Sequence, residues 1–346
     1  MALEHGGRVR AAAQRYGIPE NRWLDLSTGI NPDGWPVPAI PAEIWQGLPQ
    51  DEDGLADAAR NYYGTSRLLA VAGSQAAIQA LPRLRPPGSV ALVATSYAEH
   101  EHAWRQHGHE VRRVDDILQS DTDVVIIVNP NNPTGKLFSV DELLNLHAQL
   151  AERGGWLVVD EAFMDAIPEH SLAPVCPRPG LIVLRSLGKF FGLAGARVGF
   201  VLAEENILQP LAEALGPWPI AAPSRHVATL ALRDTAWQRA TRDALLPTAQ
   251  RLAELLRAHG FPPSGGCTLF QWVCRADAAN AHQQLAQQGI LTRLFDAPSS
   301  LRFGLPRDEA QWVRLAAALE NIRDCRSGFN PTCRAKPGLR AMDYQI

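Results

Sequence analysis

Arg185-Ser-Leu-Gly-Lys-Phe-Phe-Gly-Leu-Ala-Gly-Ala-Arg197 stands between two short apolar runs, at 181–184 and 198–202. Both runs are apolar throughout, not alternating, which is the pattern of strands buried on both faces. The segment joining them is too rich in glycine for a covering helix, so the second strand is predicted to run antiparallel to its neighbours. Further apolar runs lie upstream at 69–72, 90–93, 124–128 and 156–159, with helix-like segments at 75–84 and 140–153 between them. Ser139, followed three residues later by Glu142, gives the second helix a capping box. Strands alternating with helices predict an α/β fold built on a mostly parallel sheet.

Past about residue 245 the texture changes. An amphipathic helix is expected at 248–259, a strand at 268–274 and a helix at 278–288. Short strands at 290–294 and 300–304 and a closing helix at 309–322 complete an α+β unit. Proline-rich stretches at 32–49 and 217–223 link it to the larger unit. The expected division is a large domain over 45–245, and a small domain made of 1–44 together with 246–346. The tail from 323 has little apolar periodicity and is expected to fray or dock irregularly.

The chain has 346 residues, 46% hydrophobic and 20% charged, with a net charge of -3. An ordinary packed core is expected, and nucleic acid or an anionic membrane is not an expected partner. No apolar stretch of signal-peptide or membrane-spanning length is present, so the protein is expected in the cytoplasm. The five cysteines, Cys176, Cys267, Cys274, Cys325 and Cys333, form no C-x-x-C pair. They read as free thiols in a reducing compartment, with no metal site expected.

The opening segment also carries chemistry. An ordinary lysine is protonated at neutral pH and is a poor nucleophile. Lys189 has apolar neighbours (Phe190, Phe191, Leu193) and a fixed cation, Arg197, and both disfavour an ammonium ion. That environment suits a lysine that condenses with an aldehyde cofactor, while Ser186 and Arg197 could hold a phosphate beside it. Three more polar clusters follow predicted strands, where open α/β sheets bind ligands. In Ala72-Gly73-Ser74-Gln75, glycine permits close approach and Ser74 can cap a helix. In Asn129-Pro-Asn-Asn-Pro-Thr-Gly135, two prolines and a glycine fix a turn that presents Asn132 as an oriented amide. Asp160 ends the run at 156–159, where a carboxylate can hold a pyridine nitrogen protonated.

Together, Gly73-Ser74-Gln75, Asn129 to Gly135, Asp160-Glu-Ala-Phe163 and Ser186-x-x-Lys189 with Arg197 resemble fold-type I pyridoxal-phosphate enzymes of the class I/II aminotransferase superfamily. The resemblance spans roughly residues 20–325. It implies a mostly parallel sheet of about seven strands with helices on both faces, plus a smaller α+β domain. It implies pyridoxal 5'-phosphate as cofactor and makes 45–245 the domain that binds it. Lys189 would be the Schiff-base lysine, Asp160 the partner of the pyridine nitrogen and Asn132 the contact of the ring hydroxyl. Ser74, Gln75, Ser186 and Arg197 would hold the phosphate, and Tyr97 would stack on the ring. The chain departs from the family where Phe163 replaces a common tyrosine, and where Leu48 stands in place of a tyrosine that reaches a neighbouring subunit. A homodimer is implied, since active sites in this superfamily form at a dimer interface.

The ends of the chain narrow the choice. His5-Gly6-Gly7, Asp25-Leu-Ser-Thr-Gly-Ile-Asn31-Pro32 and Leu301-Arg302-Phe-Gly-Leu-Pro resemble threonine-phosphate decarboxylases of cobalamin biosynthesis, relatives of histidinol-phosphate aminotransferases. This resemblance implies that Arg302 binds a substrate carboxylate and Arg293 a substrate phosphate, with His5, Gly7 and Asn31 also at the substrate. The expected reaction is decarboxylation of L-threonine O-3-phosphate to (R)-1-aminopropan-2-yl phosphate and carbon dioxide. The alternative is a histidinol-phosphate-type aminotransferase using 2-oxoglutarate. A non-catalytic binding protein on the same fold is a third reading, and the full set of Lys189, Asp160, Asn132 and Arg197 argues against it.

Overall fold

The computed structural model describes residues 3–327. Its centre is a seven-stranded sheet in the order Leu69–Val71, Gly199–Leu202, Leu181–Ser186, Trp156–Asp160, Val124–Val128, Ser89–Val93, Glu110–Val114. Only Gly199–Leu202 runs antiparallel to its neighbours, as the short glycine-rich connection requires. The others pair in parallel where they adjoin. The apolar runs have no polar alternation because both faces are covered. Val125, Ile127, Val159 and Val183 pack into one core cluster. Val124, Ile126, Val158 and Ile182 pack into the other. The capping box forms as the sequence predicts: Ser139 Oγ accepts from Glu142 N at 3.2 Å, and Glu142 Oε2 accepts from Ser139 N at 2.8 Å.

A second sheet is antiparallel, in the order Arg293–Phe295, Ser300–Gly304, Phe270–Cys274, Gly265–Cys267. Leu24–Asp25 pairs in parallel with Ile290–Leu291, so the N-terminal segment is stitched to the C-terminal unit.

Several expectations need correction. Glu110–Val114 is a strand that the sequence reading missed, because at this sheet edge Val111 is buried while Glu110, Arg112 and Arg113 are exposed. The helix expected from 248 begins at Thr235 and runs through Pro247 to Ala258. The helix expected over 75–84 runs from Ser74 to Ala80 and then tightens into a 3-10 turn, Leu81–Leu84, that contains Pro82. Ser74 does not cap it: Gly73 holds the cap position at φ 71° and no side chain bonds there. The strand expected over 290–294 breaks after Leu291, since its two halves pair with different partners. Residues 323–327 continue the final helix, Glu309–Ser327, and do not fray. The rest of the tail, with Cys333, lies outside the described residues. Among the described residues, no helix is long and apolar enough to cross a membrane.

Candidate active site

The carboxyl edge of the large sheet gathers the polar clusters. Asp160 ends its strand opposite Val128, and its carbonyl accepts from Asn129 N at 2.9 Å, which starts the asparagine turn at the same level. Two of the three asparagines in that turn are committed to structure. Asn129 exchanges both side-chain bonds with the Phe138 backbone, at 3.1 and 2.9 Å. Asn131 donates to Thr95 O and Thr134 Oγ1 and accepts from Ser96 Oγ. Asn132 is left to face the site, where its Oδ1 accepts from Arg302 Nη1 at 2.5 Å.

Asp160 is buried, and its two oxygens are braced differently. Oδ1 accepts from Ala162 N at 3.1 Å, while Oδ2 lies 3.0 Å from His100 Nε2. His100 was not singled out from sequence. Its signal is the spacing Tyr97-x-x-His100 at the start of the helix Ala98–Gln106, which puts the two rings on one face with centroids 6.1 Å apart.

Lys189 is held from behind by backbone, since its carbonyl accepts from Asn31 N at 2.9 Å and Gly192 N at 3.1 Å. Its Nζ lies 5.3 Å from the centre of the Phe163 ring, which in turn packs edge-on against Phe270. Burial pushes the amine down to about 8, and the guanidiniums of Arg302 and Arg197 act in the same direction, against the pull of Asp160. The lysine environment expected from sequence is therefore present, with the second arginine arriving from a distant strand.

Beside Lys189 is a cradle without room for side chains. A Cβ on Gly73 would lie 2.7 Å from Arg197 Nη2, and one on Gly199 would lie 2.5 Å from Ser74 N. Gly199 is the strand partner of Ser186. Arg197 itself takes a left-handed conformation, φ 54°, that turns its side chain toward Gly73. Backbone N–H of Ser74, the Ser186 hydroxyl and the Arg197 guanidinium thus converge, a donor set for an anion.

The opposite wall carries two arginines. Arg293 and Arg302 are direct partners on adjacent strands, so both side chains project from the same face. Burial lowers Arg302 to about 10, with the Arg293 charge adding to the effect. Arg302 Nη2 donates to Ser27 O at 2.8 Å, and its Nε is buried without a hydrogen-bond partner among the described residues. Arg293 Nη2 donates to Glu4 O at 2.7 Å. It borders a cavity of about 180 Å³ that His5, Arg8, Arg15 and His282 also line. Gly7 N donates to Ser27 Oγ at 2.7 Å, which anchors the N-terminal arm. Asn31 is turned toward the lysine loop: its Nδ2 donates to Phe190 O at 2.9 Å and its Oδ1 accepts from Asp33 N at 3.0 Å.

Two further groups escaped the sequence reading. Glu99, in the first turn of the Ala98–Gln106 helix, is buried beside Gln75 and His5. Cys267, read as one free thiol among five, lies near enough to Lys189 and Arg302 to feel both charges, yet burial pushes its thiol up to about 12. Gln75 joins this group through Tyr97, whose hydroxyl donates to Gln75 Oε1 at 3.3 Å. Leu48, by contrast, is 66% exposed.

With this geometry in place, similarity to known proteins can be weighed. The family described as aminotransferase class I and II matches residues 45–319. A threonine-phosphate decarboxylase of Pseudomonas aeruginosa is 58% identical over 327 residues, covering 93% of this chain and 98% of its own. One from a Sinorhizobium species is 42% identical over 330 residues, covering 92% and 98%. The crystal structure of histidinol-phosphate aminotransferase from Sinorhizobium meliloti, in complex with pyridoxal-5'-phosphate, superposes with a TM-score of 0.82. It is 22% identical, covers 94% of this chain and 96% of its own, and so attests the fold. The match across most of the chain, joined to this sheet and the lysine loop at its carboxyl edge, places the protein in the class I and II aminotransferase family.

Proposed function

We propose that this site decarboxylates L-threonine O-3-phosphate to (R)-1-aminopropan-2-yl phosphate and carbon dioxide, with pyridoxal 5'-phosphate as cofactor, as a step of cobalamin biosynthesis. The observation that carries this reading is the in-register pair Arg293 and Arg302, the second close enough to Lys189 to act on its amine, in a chain 58% identical to a threonine-phosphate decarboxylase. Two cations on one face suit a substrate that has a phosphate at one end and a carboxylate at the other.

The residues fit the cofactor. The cradle at Gly73, where a Cβ would strike Arg197, accepts a phosphate held by Arg197, Ser186, Ser74 and Gln75. Asp160, braced by His100, meets the requirement of a buried carboxylate at a pyridine nitrogen, and it would keep the proton there. Asn132 would hold the ring oxygen, and Tyr97 would cover the ring face. Phe163 offers no hydroxyl to that oxygen, so the contact rests on Asn132. When bound, pyridoxal phosphate supplies an aldehyde for an amine and an electron sink for the pair released at Cα.

The chain's own residues do the rest. Lys189 would hold the cofactor through its neutral amine, and its Nζ would return a proton to the substrate Cα once carbon dioxide has left. Arg302 binds the substrate carboxylate and Arg293 and His5 bind its phosphate, while Gly7 anchors the arm at the substrate through Ser27 and Asn31 braces the loop of Lys189. An anchor remote from Cα, at Arg293 and His5, would fix the orientation of the groups on Cα and so select between loss of carboxylate and loss of hydrogen. We place the division at 45–245 for the cofactor-binding domain, with 1–44 and 246–346 as the small domain. We also place the protein in the cytoplasm as a homodimer, supported by the exposed apolar side chains Val37, Trp45 and Leu48.

Three outcomes test these assignments. Offered side by side, L-threonine O-3-phosphate should be decarboxylated with a kcat/KM roughly 10³-fold or more above that for L-threonine, because unpaired site cations reject the analogue. Equal efficiencies would sink the phosphate reading. Arg302→Ala should raise KM by roughly 30-fold or more, the usual cost of truncating a buried charge contact, while cofactor affinity changes little. An unchanged KM would remove Arg302 from the substrate. The rate at which cofactor-free protein takes up pyridoxal phosphate should rise with pH to a midpoint near 8 and then level off, because only the neutral Lys189 amine reacts. A rate still climbing tenfold per pH unit above 9 would mean that burial does not lower this amine.

A further inference from the structure

Glu99 is a buried carboxylate with no part in the steps above. Its Oε2 accepts from Gln75 Nε2 at 2.7 Å and from Gln79 Nε2 at 3.1 Å. Its Oε1 lies 2.8 Å from His5 Nε2. Gln75 Oε1 accepts in turn from the hydroxyl of Tyr97. One carboxylate therefore joins the N-terminal arm, the helix beside the anion cradle and the aromatic ring at the site. Three donors and the first turn of a helix compensate a charge that burial would otherwise make costly.

The bond to His5 has a chemical consequence. His5 sits on an arm without regular structure and is half exposed, so an unrestrained imidazole there would sample many positions. With Nε2 engaged by Glu99, Nδ1 is the ring nitrogen left to meet an incoming anion. In the neutral ring with a proton on Nε2, Nδ1 is a lone pair and repels a phosphate oxygen. In the imidazolium it is a donor, and the carboxylate on the far side balances the charge. Arg293, the arginine at this end, is tethered to the same arm through Glu4.

We propose that Glu99 is a positioning residue for the substrate phosphate, holding His5 over the site with Nδ1 turned to donate. It acts through His5, and this rests on the reading of His5 as a phosphate-binding group. Glu99→Gln keeps the volume and the amide contacts but removes the balancing charge.

The test is a double-mutant cycle on the cofactor-loaded enzyme: wild type, Glu99→Gln, His5→Ala and the double variant. Two quantities are read, the KM and kcat for L-threonine O-3-phosphate and the dissociation constant of inorganic phosphate by calorimetry. Each single substitution is expected to raise KM and the phosphate constant by roughly tenfold, the loss of one charge-assisted contact, with kcat changing much less. The double variant is expected to match His5→Ala within about twofold, since coupled residues are not additive. A Glu99→Gln effect that is equally large without His5, or absent with it, overturns the proposal. So does a His5→Ala variant with unchanged phosphate binding. Phosphate binding needs no turnover, so a failure of the decarboxylase reading is distinguishable from a failure of this one. His5 is on the exposed arm, so its variants probe the same pair even if the buried end tolerates glutamine poorly.

Discussion

Lys189→Ala is expected to lower turnover by roughly 10³-fold or more, because in the proposed mechanism one side chain would both hold the cofactor and move the proton at Cα. Cofactor binding should survive in noncovalent form, since Arg197 over Gly73 and Asp160 braced by His100 do not depend on the lysine. Absorbance of the dialysed variant checks the second point, and product formation over hours checks the first. Near-native turnover would mean that another base does the work.

The second large effect concerns stability. Arg185 stands next to Ser186 and is fully buried, with Nη1 at 2.5 Å from Glu161 Oε2 and Nη2 at 2.5 Å from Asp165 Oδ1. The Tyr63 ring covers its guanidinium at 4.6 Å. Glu161 is supported further by Ser171 Oγ and Leu172 N, whereas Asp165 Oδ2 has no hydrogen-bond partner among the described residues. Arg185→Leu leaves two buried carboxylates without a cation, at a cost of about 3–5 kcal/mol. The denaturant midpoint should fall accordingly, and removing all three charges together should cost less than removing the arginine alone. A change under about 1 kcal/mol would mean that water reaches the cluster and screens it. Ser186 and the cradle sit at the end of the same strand, so weaker cofactor retention should accompany the lower midpoint.

What could be read from the sequence follows from where each signal resides. Asp160, Asn132 and Ser186 were legible because each ends or follows an apolar run, and Arg197 because it opens a run that returns antiparallel, a placement that brings all four to one sheet edge. The antiparallel strand after Lys189 was legible from the length and glycine content of its connection. Glu110–Val114 was not, because an edge strand carrying Arg112 and Arg113 outward loses the apolar signature of its neighbours. The helix expected from 248 starts thirteen residues earlier, at Thr235, and carries Pro247 inside it, where proline more often marks a first turn. The roles of Glu99 and His100 depend on long-range partners, His5 and Asp160, that no local pattern reveals. The alignment of Arg293 with Arg302 likewise depends on strand register.

One experiment bears most directly on the reaction. The cofactor-loaded protein is given L-threonine O-3-phosphate labelled with carbon-13 in its carboxylate, without any keto acid, and the products are followed by mass spectrometry. Labelled carbon dioxide and (R)-1-aminopropan-2-yl phosphate are expected in equal amounts over many turnovers. Release of no carbon dioxide, together with glutamate formed from histidinol phosphate and 2-oxoglutarate, would contradict decarboxylation and make the site that of an aminotransferase.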